Sequence, residues 1–458
     1  MKVIVCGAGQ VGFNIAKHLA AEHSDVTVIE RSPELIEKIR ASTDVKVIQG
    51  HASHPDSLEQ AGAADADIVI AVTQADEVNM VACQVAHSIF NVPTKVARIR
   101  AQSYLNPLWR DLFSRDNMPI DVIISPEIEV ARAIVRRLEV PGAFDMVPFA
   151  DDRVRIVGIK LDESCPVVDT PLRQLTELFP DLRTVVVGIE RQGKLIVPTG
   201  NDQLLVGDNI YVTVDTKHMD RTLSVFGHEE REARRIIIIG GGNVGLFLAQ
   251  QVRQKFPRVN IKIIEMNAAR AEQVAEQLPD TVVLKGDALD AELLKEAGIE
   301  EVETVISVTN DDETNILSAL LAKRHGARKA ITLINNQTYG PLLGPLGIDV
   351  YVDPRESTVS SILQLMRRGR IRGLRSLSSG RAEVIEGDAL DTSPLVGKPL
   401  REIRLPAGIT IGAIIRDGQV IMPRGATVIE EKDRVIVFAI SSLVKKVEEL
   451  FSVRIEFF

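Results

Sequence analysis

Short runs of apolar, β-branched residues alternate with longer stretches of helical period along the first quarter of the chain. Val3–Val5, Val26–Ile29, Val45–Ile48, Ile68–Val72, Val96–Ile99 and Val122–Ile124 read as strands. The stretches between them carry the mixed apolar and polar spacing of helices packed on a sheet. That alternation predicts a doubly wound parallel sheet with helices on both faces. The pattern changes near residue 146. "VRIVGIKL", "TVVVGIER", "GKLIVP" and "DNIYVTV" are short strands separated by Gly and Pro turns with little helix, which predicts a small α+β module.

The whole pattern then repeats in the same order. "KVIVCGAGQVG" (2–12) is matched by "RIIIIGGGNVG" (235–245), "VIQGHAS" by "VLKGDAL", and "DIVIAVTQADEVNMVA" by "ETVISVTNDDETNILS". "TPLRQL" and "RQGKLIVPTG" in the first small module are answered by "KPLREI" and "RDGQVIMPRG" in the second. The chain is a tandem duplication of a sheet-plus-module unit. The expected division is 1–125 for the first Rossmann-like domain, 126–145 for a connecting helix and 146–226 for the first small module. The charged segment "GHEEREARR" gives a solvated linker at 227–234. The second half divides into 235–353, a connecting helix with a basic linker at 354–375, and 376–458. The five arginines of "RRGRIRGLR" (Arg367, Arg368, Arg370, Arg372, Arg375) read as part of a solvated connector, or as a contact for acidic headgroups or an acidic partner face.

The two fingerprints carry the chemistry. In GxGxxG after a strand, Gly7 permits the tight turn, Gly9 lets backbone amides approach a pyrophosphate, and Gly12 lets the following helix pack on the sheet. Ala8, Gln10 and Val11 complete the loop. Gly240, Gly241, Gly242, Asn243, Val244 and Gly245 repeat it. Each copy is followed by a strand ending in an acid, Glu30 or Glu265, placed to accept from a ribose 2′-hydroxyl and to repel a 2′-phosphate. This predicts NAD in preference to NADP. Thr73 and Gln74, with Thr309 and Asn310, end the fourth strand beside the crevice. They are expected to touch a dinucleotide; the alternative is a helix N-cap, Thr or Asp before "EVNMVA", and the two roles are compatible. Arg98 and Arg100, on one face of the fifth strand by its period of two, are replaced by Leu333 and Asn335 in the second half. A more highly charged nucleotide such as ATP is therefore expected in the N-terminal crevice, with the C-terminal one left to NAD or empty.

With 458 residues, 45% of them hydrophobic, the chain is long enough for several domains. Its net charge of −9 argues against sequence-independent nucleic-acid binding. Three scattered cysteines without a CxxC point to neither disulfides nor a thiolate metal site. His51 and His54 in "GHASHP" lack an evident third ligand. The longest strongly apolar uncharged stretch, Ile236 to Val252, contains the second glycine fingerprint, is too short for a membrane span and holds three consecutive glycines.

The motifs "GAGQVG", "QGHASHP", "DETNI", "NMVACQVA" and "AKRHGA", within two tandem units, resemble the Trk potassium-uptake regulators, whose halves are RCK/KTN domains. The resemblance spans essentially the whole chain. It implies a peripheral subunit on the cytoplasmic face of a bacterial inner membrane, working with an integral membrane potassium-translocating subunit. It also implies a homo-oligomer, a tetramer forming an eight-domain ring, with NAD or NADH as regulatory ligand and ATP or ADP as further ligands. Nucleotide contacts carry over to Gly7 through Gly12, Glu30, Thr73, Gln74 and Arg98, and to Gly240 through Val244 and Glu265. The Arg that some relatives carry two residues before the third glycine is Gln10 or Asn243 here, so its phosphate contacts are not carried over. An NAD-dependent dehydrogenase with a duplicated cofactor domain is the competing reading, and a ligand-free assembly protein is a third.

Overall fold

A computed structural model describes residues 1–21, 24–179, 181–230, 233–366, 371–377 and 380–451. The first six strands are β1 (Lys2–Cys6), β2 (Asp25–Glu30), β3 (Lys46–Gln49), β4 (Ile68–Ala71), β5 (Thr94–Arg98) and β6 (Val122–Ile124). They form one parallel sheet in the order β3-β2-β1-β4-β5-β6. This is the doubly wound order, whose direction reverses between β1 and β4 and opens a crevice at their carboxyl ends. All six expected strands are present. Their Val/Ile runs suit a sheet buried on both faces, where branched side chains pack above and below the pleat.

The next five strands are β7 (Ala143–Phe149), β8 (Val154–Lys160), β9 (Thr184–Arg191), β10 (Lys194–Ile196) and β11 (Asn209–Asp215). They make an antiparallel sheet ordered β10-β9-β11-β8-β7. The second half repeats both sheets. β12 (Arg235–Ile239), β13 (Asn260–Glu265), β14 (Val282–Lys285), β15 (Thr304–Ser307), β16 (Lys329–Leu333) and β17 (Val350–Val352) are ordered β14-β13-β12-β15-β16-β17. β18 (Ile371–Leu377), β19 (Ala382–Asp388), β20 (Ile409–Arg416), β21 (Gln419–Ile421) and β22 (Arg434–Ile440) are ordered β18-β19-β22-β20-β21, the same topology as the first small sheet.

The halves are not beads on a string. The helix Pro126–Glu139 starts with Pro at its first turn, carries Glu127 and Glu129 there, and ends with Arg136 and Arg137. Both charge placements favour a helix through its macrodipole. Its apolar face, Val130, Ala131, Ile134, Val135 and Leu138, does not pack on the sheet that precedes it. It packs with Ile236, Ile238, Leu248 and Val252 in the core of the second parallel sheet. The helix Pro354–Met366 returns the exchange: Ile362 joins Ile15, Leu19 and Val28 in the core of the first parallel sheet. The two crossing helices also pack against each other. Lys255 pairs with Glu139 at the edge of the first exchange. The two small sheets share a third core, in which Tyr211 of β11 meets Phe438 of β22 with ring centroids 6.3 Å apart. Phe438 fits because position 188 is glycine; a Cβ there would lie 2.8 Å from the ring.

Two expectations about connectors are corrected. The linker is docked where it begins: His228 bonds the Lys160 carbonyl at 2.9 Å and Glu230 at 2.8 Å. Arg231 and Glu232 lie outside the described residues. The basic run is no solvated connector at its end, because Arg375 sits inside β18. Burial first, then the charge of Arg136, pushes its guanidinium down to about 10. Arg367, Arg368 and Arg370 lie outside the described residues. Among the described residues no helix is long and apolar enough to cross a membrane.

Candidate functional site

Two crevices, one per parallel sheet, gather the fingerprint residues. The three glycines of each copy do three different things, and the structure separates them. Gly7 has φ +103° and Gly240 φ +104°, the left-handed region that the turn off β1 or β12 requires. A Cβ on Gly12 would lie 1.8 Å from the Gly7 carbonyl oxygen, and one on Gly245 would lie 1.9 Å from that of Gly240. These two permit the helix to close on the turn. A Cβ on Gly9 or Gly242 would meet nothing within 4 Å. Their lack of a side chain therefore serves no contact within the chain. It leaves open space over the first turns of the helices Gln10–Ala21 and Asn243–Lys255. Helix first turns present backbone N–H groups without intrahelical partners and the positive end of the dipole. Gly242 has no side chain with which to cap its helix. Gln10 and Asn243 are exposed at the mouths, Ala8 is buried, and Val11 and Val244 turn back into the sheet cores.

The acids at the ends of β2 and β13 have a role that sequence reasoning missed. Glu30, 9% exposed, accepts from Ala8 N at 2.6 Å through Oε2, and from Arg31 N and Ser32 N at 2.8 and 2.9 Å through Oε1. Glu265 accepts from Gly241 N at 2.7 Å and Asn267 N at 2.8 Å. Each carboxylate staples its glycine turn to the next strand. A carboxylate offers about four lone-pair sites, so acceptor capacity for a ribose hydroxyl remains, more of it on Glu265.

Thr73 and Thr309 lie at the switch point between the central strands. A buried amide holds each in place. Asn79 Oδ1 accepts from Thr73 N at 2.8 Å and Thr73 Oγ1 at 2.7 Å, while its Nδ2 donates to the Thr73 and Arg98 carbonyls at 3.2 and 2.9 Å. Asn315 repeats this with Thr309 and the Leu333 carbonyl. The capping alternative fails in the first half: the cap residue is Ala75, without a side-chain bond. In the second half it is Asp311 that caps, accepting from Thr314 N at 2.7 Å. Gln74 is exposed at the crevice edge, as is Asn310.

β5 ends at Arg98, so a strand period does not place Arg100. Arg98 Nη2 donates to the Thr73 carbonyl at 2.7 Å, and its Nε is buried with no hydrogen-bond partner among the described residues. Burial and the nearby Arg100 lower its basicity, with Glu127 and Asp76 opposing them. Arg100 Nε donates to Glu127 at 3.1 Å, at the start of the first crossing helix. In the second half Leu333 is buried and the Asn335 side chain donates to Asp312. The second crevice is nevertheless not without a cation. Arg270 donates to the Gly241 carbonyl at 2.7 Å. The sequence signal was an arginine near the start of the helix after Glu265, where the first half has Leu35. His51 and His54 stack with centroids 4.6 Å apart, and His51 bonds Ser53.

A TrkA-N domain model matches residues 3–126 and 236–354, and a TrkA-C domain model matches 150–227 and 389–452. The chain belongs to the TrkA family. The Trk system potassium uptake protein TrkA of Azorhizobium caulinodans is 54% identical over 458 residues, with all of both chains covered. Its namesake in Vibrio alginolyticus is 42% identical over 98% of both chains. TrkA homolog 2 of Methanosarcina mazei is 36% identical over 98% of this chain and 100% of its own. Two solved structures share the fold. The GsuK channel has a TM-score of 0.61 at 20% identity, over 98% of this chain and 78% of that one. The GsuK channel bound to NAD has a TM-score of 0.59 at 19% identity, over 99% of this chain and 79% of that one.

Proposed function

We propose that this chain is the nucleotide-binding regulatory subunit of a Trk-type potassium uptake system, without catalytic activity of its own. The observation that carries this is the open space over Gly9 and Gly242, each above a helix N-terminus and beside an acid-stapled turn. A dinucleotide fits those residues. Its pyrophosphate would lie on the loops Gly7–Gly12 and Gly240–Gly245, and its ribose would donate to Glu30 or Glu265. Thr73 and Thr309 would border the nicotinamide side. NAD or NADH suits an acid better than NADP does, and ATP or ADP would use the same phosphate cradles. The GsuK channel bound to NAD, which shares this fold, supports the choice of dinucleotide.

Regulation needs a ligand with different affinities for two arrangements of the assembly. The chain has a physical route for that difference. Thr73 at the first crevice is tied to Arg98, Arg98 lies near Arg100, and Arg100 is tied to Glu127 on a helix packed into the other half. Phosphates that draw on these arginines would compete with Glu127 and so bias the crossing helices. The partner in this reading is an integral membrane potassium-translocating subunit. The chain would meet it as a homo-oligomer, a tetramer, at the cytoplasmic face of a bacterial inner membrane. The test is calorimetric titration of the full chain with NADH, then of Gly9→Val and Gly242→Val. Both replacements point into open space and should leave the melting temperature unchanged. Each should abolish one class of site; NADH binding that survives both together overturns the reading.

A further inference from the structure

We propose that Arg270 is a specificity-determining residue of the C-terminal crevice and makes that crevice select nucleotides that carry a diphosphate. The inference rests on the reading of Gly240–Gly245 as a nucleotide cradle. Arg270 lies early in the helix Ala268–Gln277, which follows β13 and its Glu265. Its Nε donates to the Gly241 carbonyl at 2.7 Å; Nη2 is 3.4 Å from Asn243 Oδ1 and Nη1 is 3.5 Å from Gln273 Oε1. The first bond is short and the other two are at the limit of hydrogen bonding. A guanidinium presents five N–H groups in a rigid fork suited to phosphate. One is committed to the turn, and two more reach neutral amide oxygens that hold them weakly.

The placement is what matters. Gly241 and Asn243 flank Gly242, the position where a Cβ would meet nothing within 4 Å. The fork is therefore anchored beside the open space over the helix N-terminus. A diphosphate there would exchange two long contacts to amide oxygens for charge-assisted bonds, the stronger kind. The N-terminal crevice lacks this device. Leu35 stands where Arg270 does and packs against the first sheet's core. The cation of that crevice, Arg98, approaches from the opposite wall, on the Thr73 carbonyl. A cation on the glycine side is thus particular to the second crevice, where Arg355 also donates to the Asn335 carbonyl on the other wall.

The experiment uses the full chain with Gly9→Val, so that only the C-terminal crevice is read, and titrates ADP and adenosine by calorimetry. Arg270→Ala should weaken ADP about tenfold or more while leaving adenosine unchanged, since a charge-assisted bond contributes of that order. Arg270→Gln keeps a donor for the Gly241 carbonyl without the charge and should show the same loss. Arg270→Lys should recover part of it. Equal ADP affinity in Arg270→Ala, or a parallel loss of adenosine, overturns the proposal, the latter because the residue would then only hold the turn. Adding Gly242→Val must abolish ADP binding; if binding persists, the cradle reading itself fails, independently of Arg270.

Discussion

Replacing Ile134 by alanine should loosen a domain to which residue 134 does not belong in sequence. Ile134 lies on the helix Pro126–Glu139, is fully buried, and shares a core with Ile236, Ile238 and Val252 of the second half. Truncating a buried Ile to Ala costs about 2–5 kcal/mol, transfer and cavity terms together. Taking about 3 kcal/mol, amides that exchange through opening of that core should exchange roughly a hundredfold faster. Hydrogen exchange on the full chain, read by mass spectrometry, locates the effect. Peptides from 235–265 should lose protection, and peptides from 1–30 should not. Ile362→Ala should do the reverse, because Ile362 is fully buried in the first sheet's core. Ile15→Ala is the control within one half, expected to act on 1–30 alone. If Ile134→Ala speeds exchange in 1–30 and spares 235–265, the helices are not exchanged and the coupling argument built on them falls.

Three further outcomes can be measured, the first two set by named contacts. Lys95 is fully buried and its Nζ pairs with Asp121 at 2.8 Å, so Asp121→Asn should destabilise the first sheet by about 2–3 kcal/mol in chemical denaturation; Lys95→Met should cost less, because it removes the buried charge and leaves only the partly exposed Asp121 carboxylate, which water can solvate. Burial lowers the His228 pKa, but bonds to Glu230 and the Lys160 carbonyl outweigh it and leave the value raised. Its stabilisation is therefore complete below about pH 6.5, its unfolded value, and is lost as pH rises through the native one. The melting-temperature difference between the parent and His228→Gln should shrink over that rise, and a difference that grows would contradict the assignment. Incubation with NAD and a panel of hydroxy and amino acids should form no NADH; substrate-dependent reduction would favour a dehydrogenase.

The parallel sheets were legible because their signal is local. A Val/Ile run, a glycine turn and a helical period each occupy a few consecutive residues, and the duplication prints them twice. The turn role of Gly7 and the packing role of Gly12 were legible for the same reason. What stayed hidden was partnership across the chain. The apolar face of Pro126–Glu139 reads the same whether it packs on the sheet before it or the sheet after it. Arg98 and Arg100 were placed together by a strand period, but β5 stops at Arg98 and leaves Arg100 to Glu127. Asn79 and Asn315 were visible as repeated letters. Their work is to join two strand ends, and that appears only when β4 and β5 lie side by side. Arg270 was hidden in the same way, because an arginine on the helix after Glu265 reads as a surface charge until the fold brings it to the Gly241 carbonyl.

Duplication within one chain acquires a reason from the exchange of helices. Each crossing helix fills a groove in the sheet of the other half, so neither parallel sheet has a complete core without its neighbour. Carried on separate chains, that exchange would depend on concentration; joined by a docked linker, it is intramolecular and always satisfied. The cost of separating the halves then permits them to diverge. The first can keep Arg98 on the β4 side of its crevice and the second Arg270 on the glycine side, since a loss of ligand in one leaves its fold supported by the other. A strict two-fold pair of identical units could not assign its two crevices different charges. A fused pair can, and the contrast of Leu35 with Arg270 and of Leu333 with Arg98 is the form that freedom takes here.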